Sequence, residues 1–161
     1  MVSWAGPEPA PVWLDTAREY TERWHHQQHI RDAVRRAGLT EPRYLQPVLA
    51  TFVRALPFAF RGIEAPTGTA IRLVVAGAAG GSWTLRRKAS EWSLRVDNGE
   101  PSAATVETDQ DTAWRILTKA LSRGEARTRA HLSGELRLAE RVLETVAIHL
   151  TWRAAILRSR G

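Results

Sequence analysis

Apolar residues recur at helical spacing through the first third of the chain. The segment Val12–Ala37 contains neither proline nor glycine, and Gly38 follows it where a helix C-cap residue is expected. A second apolar pattern, which includes YLQPVLATFVRALPFAF, runs over Pro42–Phe60. Its initial proline suits the first turn of a helix, whereas Pro47 and Pro57 predict a kink or an early end. The pattern therefore predicts two helices.

After residue 62 the pattern changes to one typical of strands. Four stretches with β-branched or alternating apolar residues are separated by turn residues: AIRLVVAG, WTLRRKA, EWSLRVDNG and SAATVETD. Asp109 then stands at an N-cap position before the amphipathic DTAWRILTKAL. A final helix, GELRLAERVLETVAIHLTWRAAIL, is expected to open at Ser133 or Gly134. The order predicts an α+β fold with two packing units, a helical segment over residues 1–62 and a sheet with helices over 63–161.

Composition narrows the class of protein. With 161 residues, 43% hydrophobic and 25% charged, the chain is typical of a soluble globular protein. It has no cysteine, which excludes disulfides, thiolate metal ligands and cysteine nucleophiles. No apolar run reaches the roughly 20 residues of a membrane helix, and the N-terminus lacks the pattern of a secretory signal. These features predict a cytoplasmic protein without a membrane partner.

The basic charge does not point to nucleic acid. The net charge of +6 is spread as +2 over residues 1–62, +1 over 63–123 and +3 over 124–161. Nearly all basic residues are arginines, with Lys88 and Lys119 as the exceptions. A bias toward arginine is more often a result of GC-rich coding than of a phosphate-binding surface. Together with the spread of the charge, it disfavours a nucleic-acid partner.

The stretch EYTERWHHQQHI concentrates three of the five histidines in the first predicted helix. On a helical wheel Glu22, His26 and His29 fall within about 60° of one another, and His25 borders the group. Apolar residues on the other side are expected to form the packing face: Ala17, Tyr20, Trp24, Ile30 and Val34.

Carboxylate and imidazole groups at this spacing predict a metal site. Zinc binds such ligands, and residues at i and i+4 of a helix can share one ion. Glu22 and His26 are the candidate ligands, and His29 or His25 is the candidate third ligand. The alternative is a solvated polar face on which Glu22 pairs with Arg18.

The N-terminal region resembles a known family. The stretch WAGPEPAPVWLDTAREYTERWHHQQHIRDAV is similar to the last bundle helix of DinB-like proteins, and more closely to that of the actinobacterial mycothiol-dependent maleylpyruvate isomerases. The resemblance implies a four-helix bundle that holds a divalent metal, usually zinc. It matches Glu22 and His26 to the family's metal-binding glutamate and histidine, and places His29 where an aspartate is common.

The C-terminal part resembles the same family's second domain. The stretches GTAIRLVVAGAAGGSWTLRR, DTAWRILTKAL and LSGELRLAERVLETV are similar to that domain, which resembles sterol carrier proteins. The resemblance implies that residues 63–161 form a curved sheet flanked by helices. It makes residues 1–62 the last helix of a DinB-like bundle with a connecting helix.

One departure from the family limits the expected site. The family's third metal ligand is a histidine on an earlier helix, and Met1 falls in the loop before the fourth helix. The chain is therefore expected to be N-terminally truncated, through a misplaced start or as a remnant, or to be completed by a second subunit or a second copy.

Two functions follow as expectations. The first is a metal-assisted, mycothiol-dependent isomerase or transferase with a small-molecule substrate, left incomplete by the missing helices. The alternative is a non-catalytic module that binds a small molecule or a protein on the sterol-carrier-like domain. Candidate lining residues of that module, unless they only form the core of the sheet, alternate along the strands: Leu73, Val75, Trp83, Leu85, Trp92 and Leu94.

Overall fold

The computed structural model describes residues 12–147, with the side chains of Val12 and Leu14 left out. The helices are α1 (Val12–Ala33), α2 (Pro42–Phe52), α3 (Leu56–Ala59), α4 (Gln110–Leu117), α5 (Arg123–Arg129) and α6 (Leu136–Leu143), with a 3₁₀ turn at Val53–Ala55. The strands are β1 (Ala70–Ala76), β2 (Gly81–Arg87), β3 (Trp92–Val96), β4 (Ala104–Asp109) and β5 (His131–Gly134).

The five strands form one sheet in the order β3-β2-β1-β4-β5, with β1 and β4 parallel and the other neighbours antiparallel. Along β1 the buried residues Ile71, Leu73 and Val75 alternate with half-buried Arg72 and Val74. Because alternate residues point to opposite faces, one face is apolar and the other is mainly polar. The apolar face belongs to a hydrophobic core shared with the helices.

Residues on the polar face of the sheet hold the connection from β3 to β4 in place through ion pairs and a hydrogen bond. Because β3 lies at one edge of the sheet and β4 lies beside β1, this connection crosses β2 and β1. Asp97 in the connection is 3.1 Å from the guanidinium of Arg72 and accepts a 2.6 Å hydrogen bond from Thr84. Glu100 pairs with Arg86 of β2.

Helix α1 lies outermost, against α2 and α4. Trp24 contacts Trp114 of α4 edge-on at a centroid distance of 5.4 Å, and its indole N–H donates to the Leu39 carbonyl at 3.0 Å. Asp32 pairs with Arg115 of α4 at 3.1 Å. The helix thus packs through one narrow strip of side chains.

Helix α1 packs through a set of residues that differs from the predicted one. Ile30 and Val34 are 57% and 59% exposed, whereas the strip that is buried consists of Thr21, Trp24, His25 and Gln28. These positions follow the i, i+3, i+4, i+7 spacing of one helix face. The Thr21 hydroxyl donates to the Arg18 carbonyl at 2.7 Å, whereas the Nε2 atoms of His25 and Gln28 are buried without a hydrogen-bond partner among the described residues.

The α+β fold, with its helical N-terminal segment and its sheet flanked by helices, is confirmed. The four predicted strands are present, and the Asp109 side chain caps α4 by accepting a 2.9 Å hydrogen bond from the Thr112 N–H. The helix predicted over 42–60 is broken by the 3₁₀ turn just before Pro57. The division of the chain at residue 62 stays a prediction, and α2, α3 and the sheet share the same core.

The predicted end of the first helix and the predicted start of the last helix are wrong. Helix α1 stops at Ala33 because Arg35 takes a positive φ of 54°, and the Arg36 N–H donates to the Arg31 carbonyl at 2.8 Å. Residues 131–134 form strand β5, and α6 begins only at Leu136 and ends at Leu143. The predicted helix beyond residue 147 lies outside the described residues. Helix α5 was missed, although its capping box, SRGE, is visible in the sequence.

Candidate ligand-binding groove

The predicted metal ligands lie on the solvent side of α1. Glu22 and His26 are both exposed, and Glu22 is 3.9 Å from the guanidinium of Arg18. His25 points inward, with its ring 6.2 Å from that of Trp114 and 4.1 Å from that of His29. His25 therefore lies on a different face of the helix from the two candidate ligands. Glu22 pairs with Arg18, as expected for the alternative of a solvated polar face.

Residues 12–147 contain no group of three histidine, aspartate or glutamate side chains placed to hold a metal ion. A catalytic zinc site usually takes three protein ligands, so Glu22 and His26 do not form such a site among the described residues. Metal binding by this pair, and the zinc and mycothiol implied by the family resemblance, stay predictions.

His25 should make the stability of the protein depend on pH. Burial and the neighbouring His29 and His26 rings lower its pKa from 6.5 to about 4. In this interval an unfolded chain binds a proton that the folded protein excludes. The contribution to stability is therefore complete above pH 6.5 and is lost as the pH falls toward 4.

The measurement is the urea midpoint between pH 7.5 and 4.5 for the wild type, His25→Gln and the exposed-site control His26→Gln. We expect a flatter pH dependence for His25→Gln alone. Equal slopes for all three proteins would contradict the assignment.

A groove runs between the α2–α3 segment and the edge strand β3. Its helical wall consists of residues at i, i+3, i+4, i+7 and beyond, which share one side of consecutive turns: Ala50, Val53, Arg54, Pro57, Phe58 and Arg61. The opposite wall comes from β2, β3 and the turn between them. We call this feature the edge groove.

One end of the edge groove is the apolar cavity, with a volume of about 370 Å³. Trp83 and Leu94 line it from the apolar face of the sheet, Val96 at the edge is 78% exposed, and the exposed Arg95 also borders it. Arg54 and Pro57 stand at its boundary and also line the cavity at the other end. The two cavities are therefore adjacent parts of one depression.

The other end is the basic cavity, with a volume of about 560 Å³. Three arginines line it, Arg54, Arg61 and Arg87, together with Ser90, Glu64 and Glu91. Trp92 closes its floor, where its indole N–H donates to the Ile63 carbonyl at 3.1 Å.

Two aromatic rings position the arginines from the helical segment. The guanidinium carbon of Arg54 is 4.6 Å from the centroid of the Trp13 ring, and that of Arg61 is 4.6 Å from the centroid of the Phe58 ring. Cation–π contacts of this kind cover one face of the guanidinium and leave its N–H groups at the edge. The rings therefore help to orient donors around the cavity.

The predicted lining residues divide into two groups. Trp83, Trp92 and Leu94 line the edge groove, whereas Val75 and Leu85 are at most 3% exposed and belong to the core. Leu73 borders a gap of only about 10 Å³ between the sheet and the helices α4 and α6. That gap is the size of about one water molecule.

The sequence reasoning missed the arginines of the groove. The signal was present in RALPFAFR, where Arg54, Pro57, Phe58 and Arg61 already have helical spacing. Arg87 lies on β2, where no local pattern in the sequence connects it with the two helical arginines. Its position opposite Trp92 in the β2–β3 register brings it to the same cavity.

The described helices include none with the length and apolar character that crossing a membrane requires.

No protein-family model and no curated protein matches the chain. Among solved structures, it is similar to Sterol Carrier Protein 2 Like 2 from Aedes aegypti, with 20% identity, a TM-score of 0.47 and coverage of 65% of this chain and 98% of the other. It is also similar to a UbiJ-SCP2 ubiquinone synthesis protein, with 15% identity, a TM-score of 0.40 and coverage of 63% and 89%. Sterol Carrier Protein 2 from Yarrowia lipolytica in its apo form has 15% identity and a TM-score of 0.39, with coverage of 51% and 71%.

The likeness is to sterol carrier proteins, and these comparisons give no support to the mycothiol-dependent isomerase part of the resemblance.

Proposed function

We propose that the chain is a non-catalytic binding module that holds a small amphipathic molecule in the edge groove. The observation that carries the proposal is the union of an apolar and a polar cavity at Arg54 and Pro57. A molecule with an apolar body and a polar end is complementary to such a depression.

The size and the walls of the groove support binding. Each cavity lies within the range of roughly 300–1,000 Å³ that is usual for small-molecule sites. The groove is framed by a helical segment and two paired strands. Val53 beneath the apolar cavity is 1% exposed, and Trp92 beneath the basic cavity is 5% exposed. Buried residues of this kind make the site largely preformed, which lowers the entropic cost of binding.

The polar groups of the groove favour binding over catalysis. Glu91 pairs with Lys88 at 3.1 Å, and both side chains are about half exposed. Glu64 is also exposed. Among the described residues that line the groove there is no histidine beside Ser90 to act as its base. Arginines at this site donate hydrogen bonds and hold charge, which are functions of recognition.

Filling the apolar cavity should weaken binding. Ala50 is exposed on α2 and lines this cavity, so a larger side chain there occupies the ligand's place without disturbing the core. We expect Ala50→Phe to weaken binding of a medium-chain fatty alcohol at least about tenfold, the equivalent of about 1.4 kcal/mol. The measurement is calorimetric titration below the alcohol's aggregation concentration.

Gln46→Phe is the matched control, since Gln46 is exposed on the same helix and does not line either cavity. It should bind as the wild type does. Failure of the wild type to bind any amphiphile, or equal binding by both Phe variants, would overturn the proposal.

A further inference from the structure

We infer that the polar end of the ligand is an anionic group, a carboxylate or a phosphate, held by Arg54, Arg61 and Arg87. This inference rests on the proposed function and specifies the chemical class of its ligand. The argument comes from the charges of the basic cavity, the orientation of its donors and the direction of the groove.

The three arginines lack charge partners within residues 12–147. Every ion pair in that range uses other basic residues. The neighbouring Lys88 takes Glu91, and Arg86, on the opposite face of the sheet, takes Glu100. Three cations that converge on one concave site repel one another, and an anion placed among them relieves this repulsion.

The acidic residues of the cavity do not cancel this charge. Glu91 is engaged by Lys88, so Glu64 is the remaining acidic residue of a cavity that three arginines line. Arg137 donates a 3.3 Å hydrogen bond to the backbone carbonyl of Glu64. Among the described residues no side-chain hydrogen bond reaches the Glu64 carboxylate. The cavity therefore has an excess of positive charge even with Glu64 ionised.

The donors are arranged for oxygen atoms of an anion. The stacking of Arg54 on Trp13 and of Arg61 on Phe58 uses the faces of the guanidinium groups. Their N–H groups project in the plane, where a carboxylate or phosphate accepts two parallel hydrogen bonds. Among the described residues no side-chain hydrogen bond occupies these donors or those of Arg87, and all three arginines line the cavity.

The strand register gives the ligand a direction. On the apolar face of the sheet, Arg87 is opposite Trp92 at the basic end, and Trp83 is opposite Val96 at the apolar end. The four residue steps from Trp92 to Val96 correspond to roughly 13 Å along the strand. A chain-like apolar body can therefore lie along β3 while its charged end stays among the arginines.

The experiment compares decanol, decanoate and decyl phosphate at pH 8 by calorimetry, below their aggregation concentrations. These probes share the apolar body and differ in the head group. We expect at least one anion to bind about tenfold or more tightly than the alcohol, because charge-assisted hydrogen bonds add to the apolar contacts. The ratio of the affinities for decanoate and decyl phosphate shows whether the site prefers a carboxylate or a phosphate.

The same titrations on Arg54→Gln/Arg61→Gln and on Arg87→Gln should remove the preference for the anion, so that the alcohol and the two anions bind with similar affinity. Arg36→Gln, at an exposed arginine that does not line the groove, is the matched control and should keep the preference. Circular dichroism checks that each variant is folded.

The outcomes separate the two claims. Equal affinity for the alcohol and both anions would overturn the anion assignment and leave the proposed function intact. An anion preference that survives in the arginine variants would also overturn it. Absence of binding by all three probes would defeat the proposed function together with the inference.

Discussion

Trp114→Ala is expected to lower the free energy of unfolding by about 3–5 kcal/mol, the usual cost of removing a buried tryptophan. Trp114 is 1% exposed and contacts both Trp24 and His25 of α1. Its indole N–H donates to the Asp111 carboxylate at 2.9 Å. The substitution therefore leaves a cavity where α1 meets α4 and removes the partner of a carboxylate.

The measurement is urea unfolding at pH 7.5 by circular dichroism. Ile30→Ala is the control, because Ile30 is an apolar residue of α1 that is 57% exposed. Its substitution should change stability by less than about 0.5 kcal/mol, as surface substitutions usually do. A larger effect at Ile30 than at Trp114 would mean that α1 packs through the face predicted from its apolar residues.

Gly134→Ala is expected to destabilise the protein by about 2–4 kcal/mol, through backbone strain and overpacking. Gly134 has a φ of +75°, which L-residues rarely adopt. An added Cβ would clash with the Ala103 carbonyl oxygen and lie 3.0 Å from its carbon. Since both neighbours are backbone atoms of Ala103, the residue just before β4, the clash cannot be relieved by a side-chain rotation.

Gly124→Ala is expected to change the free energy of unfolding in the opposite direction. Gly124 lies in α5, and a Cβ added there meets no atom within 4 Å. Alanine should stabilise the protein by about 0.5–1 kcal/mol, because it restricts the unfolded chain and favours the helix. Thermal and urea unfolding of both variants test the pair. A tolerated Gly134→Ala would contradict the sharp change from β5 to α6.

The sequence predicted the elements that depend on local chemistry. Alternating β-branched residues marked the central strands, and Asp109 marked the start of α4 because an N-cap is a local hydrogen bond. The packing face of α1 was not predictable in this way. Thr21, His25 and Gln28 are polar, and their burial follows from the packing of α1 against α2 and α4, which no local pattern contains.

The edge groove was predictable only in part. Trp83, Trp92 and Leu94 were recognised as candidate lining residues from strand alternation. The arginines are separated by 26 positions between Arg61 and Arg87, and their convergence depends on how α3 packs against β3. No local pattern contains that information. For Glu22 and His26 the local pattern is present, since their spacing suits a shared ion. Their metal site nevertheless stays a prediction.

The crossing of the polar face by the β3–β4 connection has a consequence for the order of folding. The β1–β2–β3 meander forms from neighbours in sequence, whereas β1 and β4 pair residues such as Ile71 and Ala104, which lie 33 positions apart. Closing that loop costs chain entropy before its contacts are gained, so the local hairpins precede it. The contact of Asp97 with Thr84 belongs to the early part, because the Asp97 N–H also donates to the Ser82 carbonyl at 2.9 Å and so extends the β2–β3 hairpin. We expect the β1–β4 pairing to form after it.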